Sequence, residues 1–405
     1  MEQNNKKRTA YSKVRNSFYK QVNDIDRKKR ITVIALILAT LLLASSLLLV
    51  STLIETSGKG KYVYVYGDYK QSISTDLCFA ENVQLIDMNA LANYCSFEKD
   101  ESADFITYRT GNTQITFENN SKIAVVNGIN KEMPSNAQIK NGYCLVPLET
   151  VSDVIFGIKI ESDKKSVNIS KTQETMYIFD KNPKIEYTSD ISSYLEYINS
   201  KDEYIYTLLN KQNPIDEDFT PKNLVEIPEI YLHEYKYGSG IMLDGTTMKA
   251  LEGMLQDMEA DGIDDILVQS AYRTHAYQNM LFNTYIEKEM QAGLSKEEAT
   301  VKANKYSARP EYSEHRTGLC VDFTTDSIHG AVDDVFETTE AFEWLAKNSW
   351  KYGFVLRYPE DKEHITGYNY ESWHYRFVGV EIASVMYQTG LCYEEYLNIF
   401  GNKGE

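Results

Sequence analysis

Cysteine is scarce in this chain, five among 405 residues, and no two are spaced as CxxC. Cys78, Cys95, Cys144, Cys320 and Cys392 are odd in number and point neither to a zinc knuckle nor to a disulfide framework. A Cys78–Cys95 bridge is compatible with an extracytoplasmic setting, and the sequence does not decide it. Basic charge is also short: 42 Lys and Arg stand against 59 Asp and Glu, a formal charge of −17. The first 30 residues hold ten basic and three acidic side chains, +7, which leaves −24 on everything after them. A bulk so acidic excludes nucleic acid as a partner, because phosphate contacts require basic patches.

Long apolar runs are missing except for one. Residues 31–54, ITVIALILATLLLASSLLLVSTLI, carry no charge. At ~1.5 Å rise per residue such a helix spans more than the ~30 Å hydrocarbon core of a bilayer. It is apolar all round, where a helix of a water-facing protein shows a polar stripe. A cleaved signal peptide has an apolar region of roughly 7–15 residues and no leader of this length. The run therefore predicts an uncleaved transmembrane helix. Its basic leader, 1–30, stays in the cytoplasm. The expected arrangement is a single-pass protein of the cell membrane with its acidic bulk outside.

After a polar stalk at 55–61, residues 62–170 predict short strands joined by turns. FITYRTGNTQITF is two alternating runs about Thr110-Gly111-Asn112, and KIAVVNGINKEM is another hairpin about Asn127-Gly128. CLVPLETVSDVIFGIKIESDKKSVNIS adds a strand, a short helix and two closing strands. This block resembles the copper-amine-oxidase-type N-terminal domain, chiefly through LVPLETVSDVIFGIKIESDKKSVNI (145–169). It holds no metal-ligand cluster, so the resemblance implies a binding or spacer role and no copper. Residues 171–203 are polar and weakly periodic, as in a linker.

The second domain, 204–400, mixes strands and helices without strict βαβ alternation, which predicts an α+β fold. YIYTLLN, DILVQSAYR, LCVDFT and FVLRY read as strands. Asp244 caps a helix to about residue 260, with Met248, Leu251, Met254, Leu255 and Met258 on one face. HAYQNMLFNTYIEKEMQAG and TEAFEWLAKNSWKYG are further helices, the latter closed by Gly353. ESWHYRFVGVEIASVMYQTG passes from a strand into a helix.

Three pieces of this domain carry polar groups that an ordinary core excludes: SEHRTGLCVDF, ESWHYR and QSAYRTHAYQ. Hydrolysis at a zinc ion needs three protein ligands, an open position and a base. His315, Asp322 and His374 supply two imidazoles and a carboxylate. Residues two apart in a strand share a face, so Cys320 and Asp322 point away from the side on which Leu319 and Val321 pack. The Gly318 turn brings His315 toward Asp322. Glu371, three residues before His374, suits a general base and acid. Arg273 suits a clamp for an oxyanion or a terminal carboxylate. Taken singly, Asp322 reads as an edge carboxylate, His374 as a hydrogen-bonded core histidine and Arg273 as half of a surface ion pair. Their presence together in one domain favours the site.

The segments S-x-Y-R-[ST]-x-x-x-Q, S-x-H-x-x-G-x-x-x-D and E-x-W-H-x-R resemble those of the M15B peptidases. These are the D-alanyl-D-alanine carboxypeptidases of the vancomycin-resistance Y type and their L,D-carboxypeptidase relatives. The resemblance covers roughly 204–400, in order and in spacing. It implies the compact α+β fold of the hedgehog and D-alanyl-D-alanine peptidase group, with Zn2+ on His315, Asp322 and His374. It also implies Glu371 as catalytic base, Arg273 at the transition state, and Gln278 and Ser313 lining the substrate cleft. The implied substrate is the peptidoglycan stem peptide, trimmed of its C-terminal D-Ala. D,D activity is favoured over L,D cleavage of tetrapeptide stems.

Departures from the pattern are mild. Arg316 stands where Gln is frequent, Glu311 where Gly is common, and Ser372 where Pro is common. Cys320 replaces a small Ala, as either a packed residue or a thiol beside the metal. His233, His275, His329 and His364 read as incidental. Two other classes compete. Serine-dependent wall peptidases use S-x-x-K with K-T-G, and Ser162-Asp163-Lys164-Lys165 fits only the first, in a charged hairpin of the other domain. A catalytically inactive wall-binding protein would be expected to lack a ligand or the base, and all four are present.

Overall fold

The computed structural model describes residues 54–401, apart from 57–60, 67–68, 74–77, 81, 141, 164–165 and 237. The expected leader and the apolar run as far as residue 53 lie outside the described residues. Ile54, the last residue of that run, opens the strand Ile54–Thr56. Among the described residues, no helix is long and apolar enough to cross a membrane.

Hairpins build the first half. Phe105–Thr110 and Thr113–Glu118 pair antiparallel across Gly111 and Asn112, with Gly111 at φ 54°. Ile123–Val126 and Ile129–Glu132 pair across Asn127 (φ 48°) and Gly128 (φ 84°). Positive φ at both central positions gives the turn whose twist matches that of the flanking strands. With Glu98–Glu101 these strands form one five-stranded sheet. Alternate residues point inward, so Ile106, Tyr108, Ile115 and Phe117 are buried. A second five-stranded sheet and a four-stranded one, in which Ser166–Lys171 runs parallel to Lys61–Tyr66, complete this half. The helices Met88–Cys95 and Leu148–Val154 contribute to its single apolar core. Cys95 is a free, buried thiol, and the side chain of Cys78 lies outside those described.

The second half is α+β. Its sheet is antiparallel throughout, in the order Ile266–Ser270, Cys320–Thr325, His374–Phe377, Phe354–Leu356. Helix Gly245–Ala260 starts where Asp244 accepts hydrogen bonds from the amides of Thr246 and Thr247. Its buried stripe, Met248, Leu251, Met254, Leu255 and Met258, shares a core with Val268, Val321, Phe323 and Tyr375 from the sheet. Helices His275–Gln291, Glu340–Asn348 and Val380–Thr389 fall where the periodicity put them, and Gly353 closes the turn after the second of these at φ 81°.

Two sequence expectations change. YIYTLLN is not a strand: Glu203–Tyr206 is a 3-10 turn, because Asp202 accepts from the amide of Tyr204. Asn210 likewise draws the amides of Gln212 and Asn213 into a turn. Nor is 171–203 a free tether. Tyr177–Ile178 pairs with Ile155–Phe156, and Ile191 and Ile198 belong to the second core. The halves also touch directly. Gln388 accepts from the amide of Asp180 and donates to its carbonyl, at 2.7 and 2.9 Å, and the Phe400 ring sits 4.5 Å from that of Phe156.

Candidate active site

The two central strands of the second sheet place Asp322 directly opposite His374. Cross-strand partners on one face approach closely, and here the Asp322 carboxylate meets the Nδ1 of His374 at 2.8 Å. His315 arrives from the preceding turn, Glu314–Thr317, which closes at Gly318 in the left-handed region, φ 66°. A Cβ at Gly318 would stand 3.0 Å from Leu224 and 3.2 Å from the amide nitrogen of Asp244, so both conformation and space require glycine. The turn brings His315 Nε2 to 3.3 Å from Asp322 Oδ2. Its Nδ1 donates to the Ala271 carbonyl at 2.6 Å, which fixes the tautomer and leaves Nε2 facing the site.

Arg273 lies just past the Ile266–Ser270 strand, and its amide donates to the carbonyl of His315 at 3.0 Å. Three partners fix the guanidinium: Ser270 Oγ at 2.9 Å, Gln278 Oε1 at 3.2 Å and Asp322 Oδ2 at 2.6 Å. Gln278 also donates to the Ala308 carbonyl, so it orients the arginine as well as lining the cleft. Glu371 sits in the turn that enters the His374–Phe377 strand; its amide donates to Tyr358 and its carbonyl accepts from His374. All seven predicted residues, Arg273, Gln278, Ser313, His315, Asp322, Glu371 and His374, line one pocket of about 440 Å³. Tyr277, Tyr285, Tyr306 and Trp373 form part of its wall, and Lys236 and Lys288 also line it.

Burial sets the charge states. It is the largest influence on Glu371, raising its carboxyl to about 7 against the lowering pull of His374. Burial and Arg273 act to depress His315, but Asp322 and Cys320 outweigh them and hold it at about 9. His374 is raised too, burial being outweighed by Cys320, Asp322 and Glu314. Asp322 stays well below the usual carboxylate range, its burial outweighed by His315 and Arg273. Burial raises the Cys320 thiol, yet both imidazoles bring it down to about 7.

Sequence reasoning missed Glu314. It is fully buried beneath the site, and one carboxylate oxygen accepts from Arg357 at 2.8 Å and from Arg376 at 2.9 Å. Arg357 makes two further bonds to Glu394, and Arg376 donates to the carbonyls of Ile205 and Thr207. The other oxygen of Glu314 faces His374 Nε2 at 3.6 Å, and neither atom has a hydrogen-bond partner. A carboxylate behind a ligand imidazole is the usual outer support of a metal-bound histidine. The available signal was an acid inside the motif between Ser313 and His315, with Arg357 just past the Phe354–Leu356 strand and Arg376 within His374–Phe377. Arg316, which departs from the family pattern, is buried and donates to the carbonyls of Asp216, Glu217 and Phe219. His275, read as incidental, pairs with Glu311 at 2.9 Å.

These donors suit a dication. Two buried imidazoles and a carboxylate converge, one imidazole nitrogen already engaged from behind, in a pocket with room for a further oxygen ligand. Among the described residues, the one group of histidine, cysteine or acidic side chains gathered closely enough to hold a metal ion is His315, His374 and Cys320, and Asp322 adjoins both imidazoles. A buried carboxyl and a fixed guanidinium alongside complete the constellation of a mononuclear metallohydrolase.

Comparison with known proteins agrees. Residues 240–380 match the family model of VanY, D-alanyl-D-alanine carboxypeptidase, and residues 75–171 match that of the copper amine oxidase N-terminal domain. A D-alanyl-D-alanine carboxypeptidase of Enterococcus faecalis is 36% identical over 196 residues, 48% of this chain and 66% of that one. The bifunctional D-Ala-D-Ala dipeptidase and D-Ala-D-Ala carboxypeptidase VanXYC of Enterococcus gallinarum is 30% identical over 194 residues, 47% of this chain and 91% of that one. A solved structure of the vancomycin-resistance D,D-pentapeptidase VanY from a VanB-type cassette, in complex with Zn(II), is 34% identical. It matches 48% of this chain and 99% of its own, with a TM-score of 0.41. The chain belongs to the VanY family of D-alanyl-D-alanine carboxypeptidases. It spans 66% of the length of the Enterococcus faecalis relative.

Proposed function

We propose that this chain is a zinc-dependent carboxypeptidase that removes the C-terminal D-Ala from peptidoglycan stem peptides, with pentapeptides ending in D-Ala-D-Ala as the favoured substrate. The observation that carries this reading is the convergence of His315, Asp322 and His374 with Glu371 and Arg273 in one pocket. His315, Asp322 and His374 would hold the zinc, which supplies Lewis-acid polarisation when bound. Glu371 takes a proton from the attacking water and returns it to the departing D-Ala amine. A carboxyl raised toward neutrality is matched to both transfers. Arg273, held by Ser270, Gln278 and Asp322, presents a fixed positive charge to the oxyanion or to the substrate's terminal carboxylate. Ser313 and Gln278 line the cleft beside its aromatic wall.

The site works outside the cell, carried on a membrane-spanning helix within residues 31–53, since Ile54 belongs to a strand, with the leader 1–30 in the cytoplasm. The β-rich domain of 62–170 acts as a spacer or wall-binding module, and residues 204–400 are the catalytic domain. The apolar run, the basic leader and the acidic remainder support this arrangement.

Mass spectrometry of tetra- and pentapeptide muropeptides incubated with the full-length chain tests the reading. Chelator-sensitive loss of one alanine from the pentapeptide is expected. Loss from the tetrapeptide alone would make it an L,D-carboxypeptidase. No loss from either, with zinc bound, would leave a wall-binding protein.

A further inference from the structure

Behind the lining of the metal pocket stands one donor more than the reaction requires. Cys320 and Asp322 are two apart in the same strand and share the face turned to the site, while Val321 and Phe323 pack in the core behind. The Cys320 sulfur and a ring nitrogen of each of His315 and His374 all lie within 4.8 Å of one another. The thiol is completely buried, so it sees the two imidazoles and not solvent. His374 Nε2, also buried, makes no hydrogen bond and has Glu314 at 3.6 Å.

We propose that Cys320 is a fourth protein donor to the metal, its thiolate binding the ion together with the two imidazoles. This rests on the reading above that the pocket holds a metal. The thiol gives its proton to water as the sulfur–metal bond forms, and no oxidant or reductant is involved. A soft sulfur donor turns an otherwise hard nitrogen-and-oxygen site toward thiophilic ions such as Zn2+, Cd2+ and Co2+. It also fills a position that a catalytic zinc site ordinarily leaves open. The resting centre is therefore closed by Cys320, and substrate opens it by displacing the sulfur.

X-ray absorption of the zinc-loaded full-length chain reads this directly. One sulfur scatterer at ~2.3 Å is expected beside nitrogen and oxygen at ~2.0–2.2 Å. A shell of nitrogen and oxygen alone would overturn the proposal and leave the hydrolase reading intact, whereas a chain that binds no zinc would overturn both. A second measurement uses Co2+. The wild-type chain should show a thiolate-to-cobalt charge-transfer band in the near ultraviolet. Cys320→Ala and Cys320→Ser should each bind one Co2+ without it, and each should lose Cd2+ affinity about tenfold or more relative to wild type. Spectra and affinities identical to wild type would show Cys320 to be packing alone.

Discussion

The two halves of the molecule bury opposite kinds of side chain. The β-rich half gathers Ile86, Leu91, Ile106, Phe117, Val126, Val146 and their neighbours into a core with few buried polar groups. The catalytic half buries Glu314, Arg316, Asp322, Arg357, His374 and Arg376 almost completely. An apolar core tolerates a lost methylene at the cost of its transfer and cavity terms. A buried ionic network loses much more when one member goes, because the partner charge stays behind without compensation. The first half is therefore stable in a way that leaves chemistry untouched. In the second half, stability and chemistry are borne by the same atoms.

Substitutions can break that contrast or sharpen it. The largest effect on turnover should come from Glu371→Ala, which is expected to lower kcat by about 10³-fold or more while zinc stays bound. Steady-state kinetics with metal analysis checks this, and a wild-type rate would remove Glu371 from its role. Arg273→Ala should lower kcat by about 10²-fold, with a smaller change in KM if its charge acts mainly on the transition state.

Glu314→Ala leaves Arg357 and Arg376 facing an empty place in the interior. A destabilisation of about 3–5 kcal/mol is expected, with zinc affinity falling about 10- to 100-fold through the loss of support behind His374. Denaturant unfolding and zinc competition measure the two separately. Unchanged metal affinity would reduce Glu314 to a stabilising role.

The pH profile gives a smaller effect. Glu371 must be ionised to act as base, and burial has moved its carboxyl upward, to about 7. The rate should therefore rise with pH along an acid limb displaced above the ordinary carboxylate value. A bound dication pulls the limb back below 7. Because Arg273 favours the carboxylate, Arg273→Ala should push the limb up again, and a limb that moves down would contradict the assignment. The smallest effect on turnover belongs to the other half. Leu91→Ala, in the helix Met88–Cys95, should cost about 2–5 kcal/mol in the first core. The kcat/KM on soluble stem peptides should be unchanged, and a parallel loss of activity would join what the comparison separates.

The sequence made the first-half hairpins and the catalytic donors legible for different physical reasons. Asn127-Gly128 announces a turn that needs two positive φ values, and alternation around it fixes which face is buried. Asp322 and His374 were legible as chemistry, since such groups are unwelcome in a core, but their direct pairing across two strands was not. That pairing depends on sheet order, which local patterns do not encode. The 203–210 segment misled because Tyr and Ile favour strands, whereas Asp202 and Asn210 divert the local amides into turns. Glu314 escaped notice because an isolated acid in a motif reads as a surface residue until Arg357 and Arg376, 43 and 62 residues further along the chain, are folded onto it.

The pairing of Asp322 with His374 makes the centre a gauge of alignment. The side chains of a strand alternate between faces, so a slip of one residue between Cys320–Thr325 and His374–Phe377 would turn one donor out of the pocket and a core residue into it. The sheet need not unfold for metal to be lost; it need only be out of step. Lengthening the long excursion between these strands leaves the frame intact. Adding or removing a single residue within Cys320–Asp322 or His374–Arg376 changes the frame itself, and the ion would report that error before any measure of global folding did.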